Sequence, residues 1–123
     1  MKYILLFCGI SDDPRPASSP QDVERTYAAV GAWLSRHGSK IGSIHQLQSP
    51  ATATTVLLEG QRTPIVKDGP FLEGKELVGG YCEIDVADLD EALQMARTWP
   101  GRTRAVEIRP VVAHELPQEV DRS

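Results

Sequence analysis

The chain has 123 residues, enough for one hydrophobic core and too few for two ordinary domains. Its composition, 41% hydrophobic and 24% charged, is that of a globular protein and argues against a disordered chain or an integral membrane protein. A formal charge of −4 provides no broad positive field for nucleic acid or anionic lipid. We therefore expect one soluble domain that binds neither nucleic acid nor membrane.

The two cysteines and the first residues bear on the compartment. Cys8 and Cys82 both lie in apolar, strand-like runs, so we expect reduced and buried thiols. A lysine precedes the apolar stretch at the start, as in a signal peptide. That stretch is short, and Phe7 stands where a small residue should precede cleavage. The sequence therefore predicts a cytoplasmic protein.

Two segments carry helix-start signals followed by apolar residues at helical spacing. Ser19 can cap the first helix with Asp22 three residues later, and this helix is expected over residues 20–37. Asp88 with Glu91 begins the second helix, which ends near residues 99–101. The apolar stripes are Val23, Tyr27, Val30 and Leu34 in the first helix, and Leu89, Ala92, Leu93 and Ala96 in the second.

The other apolar or alternating segments predict strands. Tyr3–Cys8 is a continuous apolar run, typical of a central strand buried on both faces. Residues 54–67 are expected to form a hairpin, with Pro64 on an edge strand because proline cannot donate to the ladder. Further strands are expected at residues 44–48, 81–86 and 104–112. The tail, residues 113–123, has no period and is expected to be loosely ordered.

The order strand, helix, strand, hairpin, strand, helix, strand predicts an α+β fold, a ferredoxin-like βαββαβ unit with an inserted β-hairpin, over residues 1–112. Two helices cover one face of such a sheet, whereas the fully apolar first strand implies a shield on the other face too. A second copy of the same sheet is the simplest shield. We therefore expect a homodimer with facing sheets.

Period-two alternation places one group of polar side chains opposite the helices: Tyr81, Glu83, Glu107 and Arg109. Arg109 could hold a carboxylate, Tyr81 could donate a hydrogen bond, and a partly desolvated Glu83 could transfer a proton. Together they would form an acid–base site for a small molecule in the cleft of the dimer. A structural Arg–Glu network at the subunit boundary is the alternative.

The turn at residues 68–71 is the other leading candidate. Asp68 could act there as a general base or bind a cationic group. Alternatively the turn is structural: Asp68 accepts backbone N–H bonds, Gly69 supplies an unusual φ, and Phe71 plugs the core.

Further candidates for ligand contact are His45, which could titrate near neutrality, Phe71, and Lys75 in a charged loop that could act as a lid. A surface role for His45 and a merely solvated loop are the alternatives. With three scattered histidines and two distant cysteines, we expect no metal site. No phosphate-cradling glycine loop, dinucleotide fingerprint or serine-hydrolase elbow occurs in the sequence, so we expect no cofactor.

An ordered series of motifs resembles the DGPF branch of the YCII-related proteins: Asp68–Phe71, Glu73, Lys75–Glu76, Gly79–Tyr81, Asp88–Ala92, Pro100 and Glu107–Val111. The likeness extends from Met1 to about Val111. It implies a dimeric α+β barrel made of two ferredoxin-like sheets, and it supports the fold more than the function.

The resemblance also implies two functional connections. Relatives in the wider YCII group are suspected of using a histidine–aspartate pair, with the histidine early in the first helix. Residues 21–27 contain no histidine here, and His37 lies at the far end of that helix, so the pair is not transferred. Some DGPF-type proteins are linked to sigma factors. Three hypotheses follow: a small-molecule enzyme, a non-catalytic ligand-binding module, and a regulatory module.

Overall fold

The computed structural model describes residues 1–9, 19–60, 62–71 and 77–113. Within these ranges the strands are β1 Lys2–Gly9, β2 Ile41–Gln46, β3 Thr54–Leu57, β4 Ile65–Asp68, β5 Leu77–Asp85 and β6 Ala105–Pro110. The helices are α1 Pro20–His37 and α2 Leu89–Arg97, with short 3₁₀ turns at Gly38–Lys40 and Pro50–Thr52. The predicted tail beyond Ala113 and the predicted lid residue Lys75 lie outside the described residues.

Four strands form an antiparallel sheet in the order β2-β5-β1-β6, and β3 and β4 pair in a separate two-stranded sheet. This is the ferredoxin-like order with a hairpin inserted between β2 and β5, so the predicted α+β fold is confirmed. Strand ends differ more than helix ends. β5 begins at Leu77 rather than Tyr81, β2 begins at Ile41, and Asp68 closes β4 instead of standing in the turn.

Both helices begin at the predicted caps. The Ser19 hydroxyl oxygen accepts a hydrogen bond from the Asp22 amide at 3.1 Å. The Asp88 carboxylate accepts one from the Glu91 amide at 3.0 Å, and the Glu91 carboxylate accepts one from the Ala87 amide at 3.2 Å. Each bond satisfies an amide that has no partner within the first helical turn, which is why both helices begin there.

The core lies between the helices and one face of the four-stranded sheet. Its buried residues are Tyr3, Leu5, Phe7, Trp33, Cys82, Ile84, Val86, Ala92 and Met95. β1 is central, as predicted, but it is buried on the helix side alone. Ile4, Leu6 and Cys8 on its other face are half-buried. Cys82 is fully buried, whereas Cys8 keeps part of its surface.

The apolar stripe of α1 does not pack as predicted. Val23 and Tyr27, near the start of the helix, are 39% and 65% exposed. The residue that α1 buries is Trp33, whose indole N–H donates to the Met95 carbonyl at 3.1 Å and the Thr98 hydroxyl at 3.2 Å. Leu89 in α2 is likewise exposed rather than packed. The second half of α1 therefore anchors the helix, while the apolar side chains of its first half stay exposed.

Among the described residues, no helix is both long and apolar enough to cross a membrane.

Candidate functional site

A cavity of about 640 Å³ lies beneath the first half of α1, and we call it the helix–sheet pocket. Its walls are the α1 stripe, the ends of β1, β2 and β5 that meet there, and the loop after α2. Val23, Tyr27, Val30 and Leu34 line it. The volume is in the range of pockets that hold small organic molecules. The apolar stripe of α1 is therefore a wall of this pocket.

Stacked aromatic rings form the other side of the pocket. Phe7 and Trp99, which both line it, lie nearly parallel, with ring centroids 4.1 Å apart and planes 13° from each other. Trp33 meets the Trp99 ring edge-on at 5.0 Å. The Trp99 indole N–H donates to the Thr103 hydroxyl at 3.1 Å. Because three contacts hold Trp99, the wall is pre-organised rather than mobile.

Two glycines allow this packing. A Cβ on Gly80 would lie 2.9 Å from the His45 carbonyl oxygen and 3.4 Å from a ring carbon of Phe7. A Cβ on Gly101 would lie 2.5 Å from the Trp99 ring. Neither position tolerates a side chain without movement of its neighbours. Gly79 and Gly80 thus belong to β5, at a point of close backbone approach, and precede the strand start that the sequence predicts at Tyr81.

The described lining of the pocket contains a single charged side chain. Among the described residues that line it, Arg102 alone carries a full charge, and none is a carboxylate. The polar side chains that line it include Thr26, Gln46 and Thr103, and His45 is also a lining residue. The described lining is thus mainly apolar, with one cation in the loop between α2 and β6.

The predicted polar group lies elsewhere, on the face of the sheet opposite the helices. Cross-strand pairing forms two rows there: Ser43, Glu83, Ile4 and Arg109, and His45, Tyr81, Leu6 and Glu107. The rings of His45 and Tyr81 are 5.5 Å apart. The structure therefore brings His45, Tyr81, Glu83, Glu107 and Arg109 onto one surface, which we call the open face.

Ion pairs on the open face are long and solvated. Arg109 Nε lies 3.8 Å from Glu107 Oε2, and Lys2 Nζ lies 3.7 Å from Glu83 Oε1. The side chains of Arg109 and Glu107 are 70% and 57% exposed. Exposed pairs of this kind contribute little to stability. These groups are therefore available to a ligand or to another protein surface.

The candidate residues of the predicted turn, residues 68–71, lie at the end of the β3–β4 hairpin. Asp68 is exposed and lies opposite Thr54 on the two-stranded sheet, whereas the open-face residues belong to the four-stranded sheet. Gly69 has the unusual φ that the structural alternative predicts, 99°. Phe71 does not plug the core, since it is 68% exposed. It follows β4, three residues after the end of that strand.

Sequence reasoning missed the residues that shape the pocket. Trp99 and Gly101 were interpreted as a helix stop, and Arg102 was given no role. The sequence signal that could have found them is a tryptophan two residues before a glycine at the end of a helix. Within the described part of the chain, no three His, Cys, Asp or Glu side chains are grouped so as to hold a metal ion.

The strand order and the two helices place the chain among small α+β proteins with a ferredoxin-like fold. A solved structure with this fold is a dehydrochlorinase of 5-chloro-2-hydroxyhydroquinone from Burkholderia phenoliruptrix AC1100, in complex with 2,5-dihydroxybenzoquinone. It superposes with a TM-score of 0.50 and 18% identity, over 91% of this chain and 94% of the other. At that identity the likeness shows the fold alone.

The chain belongs to the YCII-related family, whose domain model matches residues 1–115. An uncharacterised protein of Rhizobium meliloti is 36% identical over 112 residues, covering 86% of this chain and 83% of the relative. The predicted family is therefore confirmed over nearly the whole chain.

Proposed function

We propose that the protein binds a small, ring-bearing organic molecule in the helix–sheet pocket. The observation that carries this proposal is the apolar stripe of α1, which is left open above a cavity of about 640 Å³. Exposed apolar surface beside a concave, pre-formed wall is typical of a ligand site. The solved dehydrochlorinase of the same fold, with its bound quinone, supports a ligand of this size.

The shape of the wall favours a flat ligand. Trp99 and Phe7 are stacked on each other, and Tyr27 lines the pocket from α1. Aromatic rings gain from offset or edge-on contact with other rings beyond the burial of their area. A ligand ring that enters between α1 and the stacked pair would contact Tyr27 on one side and the rings of Phe7 and Trp99 on the other.

A pocket-filling substitution tests this proposal. Val30 is half-buried and lines the pocket, whereas its neighbour Ala29 is exposed on α1 and does not line it. Val30→Phe should fill the space, and Ala29→Phe is the matched control. At roughly ten times its Kd, cinnamyl alcohol should raise the Tm of the wild type and of Ala29→Phe by roughly 5 °C. Val30→Phe should show no such rise, and an equal rise in Val30→Phe would contradict the proposal.

A second candidate function is acid–base catalysis at the open face, favoured by the convergence of five predicted residues there. In this proposal a second copy of the chain covers the face. Burial then makes Glu83 and Tyr81 the proton-transfer groups and Arg109 and Glu107 the ligand-holding pair. Asp68 would act from the hairpin. Ile4 and Leu6, half-buried at the centre of the face, would supply apolar contact between the copies.

Sedimentation tests the homodimer first. The wild type should sediment as a dimer at micromolar concentration, and Leu6→Asp, which puts a charge at the centre of the open face, should sediment as a monomer. Ala32→Asp, on an exposed position of α1, should remain dimeric. A monomeric wild type would contradict this proposal. Any ring compound that is turned over should be turned over more slowly by Glu83→Gln, Arg109→Ala and Asp68→Asn.

We also propose that the chain belongs to the DGPF branch of its family and works in the cytoplasm. The ordered motif series from residue 68 to residue 111 supports the first statement. The thiols of Cys8 and Cys82 form no disulfide, which is typical of a reducing compartment and supports the second statement.

A further inference from the structure

We infer that the helix–sheet pocket selects ring-bearing molecules with a hydrogen-bond-accepting oxygen, and that the Thr103 hydroxyl donates the hydrogen bond to that oxygen. This inference rests on the proposed function, because it names the ligand class and a specificity residue for the same pocket. It does not depend on the open face or on a second copy of the chain.

The contacts of two threonines carry the argument. A threonine hydroxyl can donate one hydrogen bond and accept two. The Thr98 hydroxyl accepts the Trp33 indole N–H at 3.2 Å, and its own proton is within reach of two carbonyl oxygens of α2, at 3.1 and 3.2 Å. The Thr103 hydroxyl likewise accepts the Trp99 indole N–H at 3.1 Å. Among the described residues, however, none accepts a hydrogen bond from Thr103, so this donor is left for a ligand.

The contact with Trp99 also sets the direction and strength of this donor. The indole N–H occupies one lone pair of the Thr103 oxygen, so the hydroxyl proton points away from the indole. A hydroxyl that accepts a hydrogen bond is polarised and donates a stronger one. Thr103 is half-buried and lines the pocket together with Trp99. A donor in that position is costly to leave unpaired once a ligand excludes solvent from the pocket.

A ligand ring in contact with the aromatic wall brings its substituent to this donor. Trp99 and Thr103 both line the pocket, and the hydrogen bond between them keeps the hydroxyl at the edge of the indole. An oxygen at that place would pair with Thr103, whereas a methyl group would leave the donor unpaired. The ligand class is therefore ring-bearing alcohols, ethers and carbonyl compounds, in preference to hydrocarbons of the same shape.

Three ligands with the same styryl frame test this inference: cinnamyl alcohol, cinnamyl methyl ether and trans-β-ethylstyrene. The ether can accept a hydrogen bond but cannot donate one, and the styrene has a methyl group in place of the hydroxyl of the alcohol. Tryptophan fluorescence reports binding, because Trp99 lines the pocket. Thr103→Val keeps the shape of the side chain and removes its hydroxyl. Relative to the styrene, the Kd of the alcohol and of the ether should rise about fivefold, as expected for one neutral hydrogen bond.

The styrene is the internal reference, since any loosening of Trp99 in Thr103→Val weakens all three ligands alike. Thr98→Val is the matched control variant, because it also removes a hydroxyl that accepts an indole N–H, but Thr98 does not line the pocket. It should leave the three Kd values in their wild-type ratio. Thr103→Ser keeps the hydroxyl and should keep that ratio too, whereas Thr103→Ala should give the same relative loss as Thr103→Val. Circular dichroism of each variant confirms that it is folded.

The outcomes separate the two proposals. An equal change in the Kd of all three ligands in Thr103→Val, or no change, would overturn the hydrogen-bond inference and leave the pocket proposal standing. A loss confined to the alcohol would show that Thr103 accepts rather than donates, and it would overturn the inference as well. The same holds if Thr98→Val alters the ratio as Thr103→Val does. Failure of all three ligands to bind the wild type would overturn the pocket proposal itself.

Discussion

Replacing Gly101 with alanine would drive a methyl group into the Trp99 ring. The added Cβ would lie 2.5 Å from Cζ2 and 2.6 Å from Cε2 and Nε1, while ordinary contacts begin near 3.4 Å. The ring would have to retreat by about 0.9 Å. It has little freedom to do so, because Phe7 is stacked on it, Trp33 meets it edge-on, and Thr103 holds its indole nitrogen.

Overpacking of this kind costs roughly 1–3 kcal/mol, and a lost aromatic pair adds about 0.5–1.5 kcal/mol. We therefore expect Gly101→Ala to lower the free energy of unfolding by roughly 2–3 kcal/mol, measured by urea denaturation. Its near-ultraviolet circular dichroism should also change, because the indole moves relative to its neighbours.

The same substitution elsewhere in the chain is the control. Gly31 is exposed within α1, and a Cβ there would meet nothing within 4 Å. Gly31→Ala should therefore stabilise the protein by roughly 0.5–1 kcal/mol, because alanine favours a helix interior over glycine. If Gly101→Ala were as stable as the wild type with an unchanged near-ultraviolet spectrum, the fixed aromatic wall would be refuted.

Three other predictions concern the core and its titrating groups. Trp33→Phe removes the indole donor to the Met95 carbonyl and should lower the free energy of unfolding by roughly 1–3 kcal/mol in urea; an unchanged midpoint would contradict this. Burial, with a smaller effect of the Glu83 carboxylate, raises the pKa of the Cys82 thiol to about 11. A thiol reagent should therefore modify Cys8 first in the native protein at mildly alkaline pH. Equal rates of modification of the two cysteines would contradict the burial of Cys82. Burial first, then the cations of neighbouring residues, lower the pKa of His37 below 6.5. The unfolded state therefore binds the proton more readily, and the free energy of unfolding should fall as the pH drops below about 6.5. His37→Gln should show a shallower fall, and a pH profile identical to that of the wild type would contradict this prediction.

Local chemistry allowed the sequence to predict the helices. Ser19 and Asp88 are caps whose partners lie three residues away, so their signal needs no tertiary context. Strand order followed from the sequence of element types, since few topologies accommodate that order. The start of β5 could not be predicted in the same way. Gly80 belongs to a strand because the Phe7 ring and the β2 backbone lie close to it, and both are distant in sequence.

The pocket depended still more on tertiary placement. Helical spacing showed that Val23 and Tyr27 share a face of α1, but it could not show whether that face meets a packed sheet or a cavity. Trp33 fixes the far half of the helix through a bond to α2, and the near half is left above the sheet ends. The open face is the reverse case. Period-two alternation predicted the residues of the open face, because successive side chains of a strand point to opposite faces of the sheet.

The central claim is that a ligand enters the helix–sheet pocket and not the open face. A two-dimensional amide NMR titration with cinnamyl alcohol tests it most directly. We predict that the Trp99 indole signal and the Gly79 and Gly80 amides shift, in proportion to occupancy, while the amides of Glu107 and Arg109 stay in place. Shifts confined to those β6 amides, with a stationary Trp99 signal, would contradict the claim.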